Sequence, residues 1–138
     1  MADITFTAAS VVKGANAIFE TGTAGETITA GLAVYLKASD NRYWIAHTST
    51  SAATAAAAGF ALNGASASQP IEVQTAGDMT CDNLSLAAAG CVYVLSAAGK
   101  IAPHGDLAAD DYTTIMGAAL STTSLRLAIK PTSVLATA

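Results

Sequence analysis

Two histidines with nearby carboxylates are the residues of this chain whose types could hold a metal ion. His47 and His104 follow matching Ile-Ala pairs, and Asp40 and Asp106 lie close to them in sequence. A structural or catalytic metal site needs three or four ligands at a characteristic spacing. No His-x-x-x-His, Cys-x-x-Cys or carboxylate cluster completes such a set. We therefore expect both histidines at surface turns, and we predict no metal and no cofactor.

Nucleophilic catalysis would need an activated serine or cysteine beside a base. Serines are frequent, but none lies in a Gly-x-Ser-x-Gly motif, and Cys91 has no histidine at a patterned spacing. The chain is therefore predicted to have no catalytic residues and not to be an enzyme. Cys81 and Cys91 flank a polar turn and could pair across a hairpin, although reduced thiols suit a protein made in the cytoplasm.

The adjacent aromatic residues Tyr43 and Trp44 are the first candidates for an interface. In a strand, one of two neighbouring side chains faces the core and the other faces outward. One interpretation places Trp44 in the core with Tyr43 half-exposed; the other makes the outward ring an anchor for a partner. Near the N-terminus, Ile4 and Phe6 alternate with threonines, so this segment could add a strand to a partner's sheet.

Strand patterns dominate the elements that must position these residues. Leu125, Leu127 and Ile129 alternate with charged or small residues, which is typical of a half-buried strand. The segment 92–95 is apolar on both faces and should be a central strand. Turn signals recur at short intervals, so we predict an all-β sandwich or barrel. One short Ala-rich helix is expected over 51–58, plugging a barrel end, with a possible turn-like counterpart over 107–112.

An internal duplication organises the chain. The motif at 30–36 returns at 89–95, an Ile-Ala pair follows each copy, and each copy then reaches a Gly-x-Ala-Leu at 59–62 or 117–120. We therefore expect a single β domain, residues 1–138, with four parts. These are an N-terminal arm with strands (1–26), repeat copy one (27–76), repeat copy two (86–131) and a C-terminal tail (132–138).

Composition favours a protein that packs against other proteins. Roughly a quarter of the residues are alanine, and charged residues make up only 12% of the chain. The net charge of −4 and the scattered basic residues argue against nucleic acid as a partner. No long apolar segment predicts a membrane span, and the acidic N-terminus does not fit a signal peptide.

The chain resembles the cement, or decoration, proteins that coat the capsids of tailed bacteriophages. The resemblance extends from Ala24 onward and is carried by four segments: 31–35, 59–63, 69–78 and 90–103. It implies a jelly-roll-like fold and attachment to the outer surface of the mature major capsid protein lattice. It also implies a homo-oligomer, with a dimer favoured over a trimer. The protein would be made in the host cytoplasm and located on the virion, with no role for nucleic acid or membrane.

Two other functions fit the same residues. A tail- or fibre-associated virion module would bind tails rather than heads. A small adhesion or carbohydrate-binding domain would need exposed aromatic rings on a concave face, and four tyrosines with one tryptophan are a thin supply.

Overall fold

The computed structural model describes residues 11–13, 16–48, 52–81, 92–96, 99–103, 112–121 and 124–135, and these form an almost entirely β structure. The predicted all-β class is thus confirmed. The ten strands and one helical turn are β1 (Val11–Lys13), β2 (Ile18–Thr23), β3 (Ala33–Lys37), β4 (Arg42–Ile45), α1 (Ala52–Ala55), β5 (Gly59–Ala61), β6 (Pro70–Cys81), β7 (Val92–Leu95), β8 (Ile101–Pro103), β9 (Tyr112–Ala119) and β10 (Ser124–Leu135).

The strand order makes the duplication visible in three dimensions. The main path runs β4-β3-β5-β6-β10-β9-β7-β8, so the first four strands and the last four mirror one another about the β6–β10 pair. The registers correspond too: Val34 pairs with Gly59 in one copy, and Tyr93 pairs with Gly117 in the other. All of these pairings are antiparallel, and together they form a curled half-barrel. The jelly-roll arrangement in particular is not confirmed.

The long strand β6 joins the two halves of the sheet. Its first part pairs with β2 and β5, and its second part pairs with β1 and β10. A register irregularity lies between these parts, where Ile18 pairs with Ala76 but Phe19 pairs with Gln74. Gly77 follows with a φ of 86°. The buried Gln74 amide donates to the carbonyl oxygens of Ala76 and Asp78, at 3.1 and 2.8 Å, and so stabilises the bend.

The apolar side chains form two separate clusters. The larger one combines residues of both copies, among them Phe60, Met79, Tyr93, Leu95 and Leu125. The smaller one lies against the opposite face of the first copy, where Val34, Tyr43, Ile71 and Val73 are covered by Ala24, Ile28 and Ala65. The first copy is therefore buried on both faces, which explains why its strands lack the clean alternation seen in β10.

The Ala-rich segment is shorter and more buried than the sequence predicted. Its helix is one turn, Ala52–Ala55, rather than the whole of 51–58. Ala55 and Ala57 belong to the larger cluster, so the segment contributes to the core as well as covering it. Thr114 of β9 donates its hydroxyl to the carbonyl oxygen of Ala55 and fixes the segment to the second copy.

Several predicted elements can be compared with the described residues. The strand at 92–95 lies between β8 and β9 and is largely buried, as expected. In β10, Leu125 and Leu127 are buried and Arg126 is exposed, which confirms the alternation. Leu36 faces the same side of β3 as Val34 but is 46% exposed, because it lies at the turn end of the strand.

The remaining predictions concern the ends of β6 and β10 and residues outside the described ranges. Residues 132–135 continue β10, and β6 extends beyond residue 76 to Cys81. Ile4, Phe6, Cys91 and the segment 107–111 lie outside the described residues, as does the side chain of Cys81.

Candidate interaction surface

The structure reverses the expected placement of Tyr43 and Trp44. Tyr43 is only 4% exposed and belongs to the smaller core cluster, whereas Trp44 lies on the opposite face of β4 and is partly exposed. The interpretation of Trp44 as a core residue is therefore wrong. Its register explains this: Trp44 pairs with Tyr35, and Tyr43 pairs with Leu36 on the face that carries Val34.

The Trp44 side chain is held by residues of its own chain. Its indole Nε1 donates to the Asp40 carboxylate at 3.1 Å, and the Lys37 Nζ lies 4.7 Å from the ring centroid. On another side the ring contacts Gly25 so closely that a Cβ there would overlap it. These contacts join the β3–β4 turn to the segment that follows β2, which gives Trp44 a structural role in addition to any contact with a partner.

Tyr43 connects β4 to β2 across the smaller cluster. Its ring lies over Gly22, where a Cβ would collide with the ring carbons, and its hydroxyl donates to the Glu20 carboxylate at 3.4 Å. Burial raises the pKa of the Tyr43 phenol, and the neighbouring Glu20 charge and hydrogen bond raise it further. The side chain is therefore held neutral and fixed in place, which is unlike a free interface anchor.

Tyr35 lies beside Trp44 on the same face of the hairpin. Its pKa is raised by partial burial first, and then by the negative charges of Glu26 and Asp40. This face of the β3–β4 hairpin thus brings two aromatic rings and two carboxylates together, with Lys37 over one ring. It is a mixed polar and aromatic patch.

Large exposed apolar side chains are found elsewhere, mainly on β2. Ile18 is 61% exposed and Phe19 is 42% exposed, while Leu36 and Leu120 are exposed to similar extents at two turns. The first four residues of β2 are all exposed, although the strand pairs with β6 along its length. Exposed apolar groups of this size mark contact surfaces when they cluster. The sequence predicted strands within residues 1–26, which include β2, but did not single out Ile18 and Phe19 as exposed residues.

The face of the β6–β10–β9 sheet that carries Arg126 is more polar than β2. Arg126 donates from Nε to the Asp78 carboxylate at 2.9 Å, across the β6–β10 pair. The Thr80 and Ser124 hydroxyls are 3.3 Å apart in the next row. Ala118, opposite Arg126, completes a surface of small and short polar side chains. Such a surface allows another backbone to approach closely.

The described residues contain no assembled group of metal-binding side chains. His47 is half-buried, and its backbone N–H donates to the Thr54 carbonyl oxygen. No set of three or more His, Cys, Asp or Glu side chains in the described ranges could hold a metal ion. A shallow depression of about 120 Å³ is lined by Thr21, Asn63, Pro70, Ile71 and Glu72. His104 and Asp106 lie outside the described residues.

Comparison with known proteins leaves the family of the chain open. No protein-family model matches the sequence, and no curated protein matches it. In the part of the chain that the structure describes, no helix has the length and apolar character to cross a membrane.

Proposed function

We propose that this chain is a structural virion protein that binds the outer surface of the mature capsid lattice of a tailed bacteriophage and stabilises the shell. Its partner would be the major capsid protein, and it would act as a homo-oligomer without nucleic acid or membrane. The proposal rests first on the resemblance of the chain from Ala24 onward to capsid decoration proteins. A tail-associated module and a carbohydrate-binding domain are the alternatives.

The exposed apolar side chains of β2 are the structural observation that best supports a binding role. Ile18 and Phe19 are both exposed at the start of this strand, on opposite sides of it. Only 12% of the residues in the chain are charged. A protein with few charges and exposed apolar side chains gains free energy by burying them against a partner.

Binding of this kind would stabilise a shell by mass action. A protein that contacts the expanded lattice, but not the unexpanded one, shifts the equilibrium toward the expanded state by its difference in binding free energy. Each copy needs to contribute only a small amount, because many copies bind one closed shell.

Co-sedimentation with undecorated phage heads tests the proposal. Purified protein is mixed separately with expanded and unexpanded shells, and the bound protein is measured against its concentration. We expect saturable binding to expanded shells alone, at a fixed ratio to the capsid protein. Absence of binding to both shells by folded protein would contradict the proposal, and binding to isolated tails would favour the tail-associated alternative.

Matched substitutions can locate the contact surface in the same assay. Ile18→Ser removes an exposed apolar side chain from β2, and Leu120→Ser makes the same kind of change at the turn after β9. If β2 contacts the capsid, Ile18→Ser should weaken binding by about tenfold, whereas Leu120→Ser should leave it unchanged. Equal binding by the parent and the Ile18→Ser protein would exclude β2 as the main contact.

A further inference from the structure

The strand β4 ends the main strand order, so one of its edges faces no other strand of that path. In an antiparallel pair, alternate residues direct their backbone groups away from the partner strand. The Ala46 N–H donates to the Ala33 carbonyl oxygen, so Ala46 directs its backbone groups toward β3, and Trp44, two residues before it, does the same. Tyr43 and Ile45 therefore direct their backbone groups away from β3. An edge of this kind can pair with another chain.

A three-residue segment covers this edge from outside. The Gly25 N–H donates to the Tyr43 carbonyl oxygen at 2.8 Å, and Ala24 forms an isolated parallel bridge with Tyr43. The Ile45 N–H donates to the Glu26 carboxylate at 3.0 Å. A side chain therefore provides the last acceptor on the edge, in place of a backbone carbonyl. We refer to residues 24–26 as the edge cap.

The edge cap is fixed in place by contacts on its other side. Ala24 donates to the Gln69 carbonyl oxygen at 2.9 Å and accepts from the Ser68 N–H at 2.8 Å. Arg42, at the start of β4, donates to the Ser68 hydroxyl at 3.0 Å. Gly25 lies directly against the Trp44 ring, where any larger residue would overlap. The cap is thus held between β4 and the turn at 67–69.

We propose that the edge cap is an autoinhibitory contact, in which Glu26 keeps the β4 edge from pairing with a second copy of the chain. β4 has the sequence Arg-Tyr-Trp-Ile, which favours strand structure. In an antiparallel pair of two β4 strands joined through these outward residues, Tyr43 would lie opposite Ile45, Trp44 opposite the second copy of itself, and Arg42 opposite Ala46. No like charges would meet in this register, so the uncapped edge fits a copy of itself.

Replacement of Glu26 tests this inference in the full-length chain, with molar mass measured by light scattering over a range of concentrations. Glu26→Ala removes the acceptor, and Glu26→Asp keeps the charge but shortens the side chain by one methylene. Both should raise the mass toward twice that of the parent, and the milder Asp variant decides the result if the Ala variant does not fold. Glu26→Gln retains an acceptor oxygen and should behave like the parent.

A second substitution identifies the edge as the surface that associates. Ile45→Pro removes the outward N–H, and proline is tolerated where the N–H of an edge strand points away from its neighbour. Adding Ile45→Pro to either associating variant should restore the parent mass. Asp78→Ala, which removes one carboxylate on the other half of the sheet, serves as the charge control and should not change the mass. An unchanged mass in Glu26→Asp and Glu26→Ala, or association that survives Ile45→Pro, would overturn the proposal.

Discussion

At the scale of single residues, Tyr43 and Trp44 show how neighbours in a strand acquire different roles. Tyr43 points into the smaller core cluster, and its hydroxyl donates to Glu20. Trp44 points to the opposite side of β4, where it is held by contacts with Asp40, Lys37 and Gly25. Both rings approach a glycine, Gly22 or Gly25, because only a residue without a Cβ leaves room for them. Gly22 and Gly25 thus leave the space that the rings of Tyr43 and Trp44 occupy.

The contact between Gly25 and Trp44 gives a testable coupling. Gly25→Ala should cost about 1–3 kcal/mol of unfolding free energy, because its Cβ would overlap the indole. Trp44→Ala should cost a similar amount, about 1–3 kcal/mol, which is below the value for a fully buried tryptophan. In the double variant the overlap is gone, so the total loss should be smaller than the sum of the single losses. Denaturant unfolding of the four proteins measures this, and strictly additive losses would argue against the contact.

Tyr43 also predicts how stability changes at high pH. Its pKa in the folded state is raised above the ordinary value of 10.0 by burial, and further by Glu20. The unfolded chain then loses the phenolic proton first, so the stabilisation is complete below about pH 10 and is lost as the pH rises through the folded pKa. As the pH rises above about 10, the unfolding free energy should fall less steeply in Tyr43→Phe than in the parent.

The same measurement on Tyr35→Phe provides a comparison, because the pKa of Tyr35 is raised by the same kinds of interaction on the more exposed face. If the unfolding free energy of Tyr43→Phe depended on pH as that of the parent does, the Tyr43 phenol would have the same pKa in the folded and unfolded states.

At the scale of elements, the bend in β6 separates the part that pairs with β2 and β5 from the part that pairs with β1 and β10. The strand changes partners between its two parts, and Gly77 occupies the left-handed region at the point of change. A side chain at Gly77 would meet the Asn16 carbonyl oxygen and the Ala17 backbone. The Asn16 side chain accepts a hydrogen bond from the Asp78 N–H at 3.0 Å, which holds the segment before β2 against the bend. Strands that pass from one sheet to another commonly do so at such bulges.

Substitution at Gly77 should therefore be costly, whereas Gly64 offers a matched control. Gly77→Ala should lose about 2–4 kcal/mol of unfolding free energy, from the left-handed backbone and the overlap with Asn16. Gly64 has an ordinary φ, and a Cβ there would lie 3.7 Å from its nearest neighbour, the Ile28 carbonyl oxygen. Gly64→Ala should be neutral or stabilise by up to about 1 kcal/mol. Thermal unfolding of both proteins would show whether the two glycines differ in this way.

At the scale of the whole molecule, the two copies share a topology but not an environment. The β7–β8 turn docks on the first copy: the Gly99 N–H donates to the Ala46 carbonyl oxygen at 2.8 Å, and Gly99 packs against the Ala33 backbone. The corresponding β3–β4 turn instead faces outward with Asp40 and Asn41 exposed. The β7–β8 turn of the second copy is therefore packed against the first copy, whereas the β3–β4 turn, next to Trp44, is exposed.

This asymmetry matters for the proposed binding to a capsid. The two ends of the sheet expose different residues, so a partner would meet one end, one edge or one face rather than two equivalent sites. The exposed apolar pair on β2 and the capped edge of β4 both belong to the first half of the chain. The second half contributes mainly to the larger core cluster and to a polar face.

The sequence by itself determined the β class, the duplication and the alternation of β10, because these depend on local periodicity and on short turns between strands. Sequence also predicted a central strand at 92–95. It did not determine which of Tyr43 and Trp44 is buried, since period two fixes only that they point to opposite sides. Only the tertiary structure decided that choice, by covering the Tyr43 face with Ala24, Ile28 and Ala65. The exposure of Ile18 and Phe19 and the Glu26 cap on β4 likewise depend on contacts between residues distant in sequence, which no local pattern records.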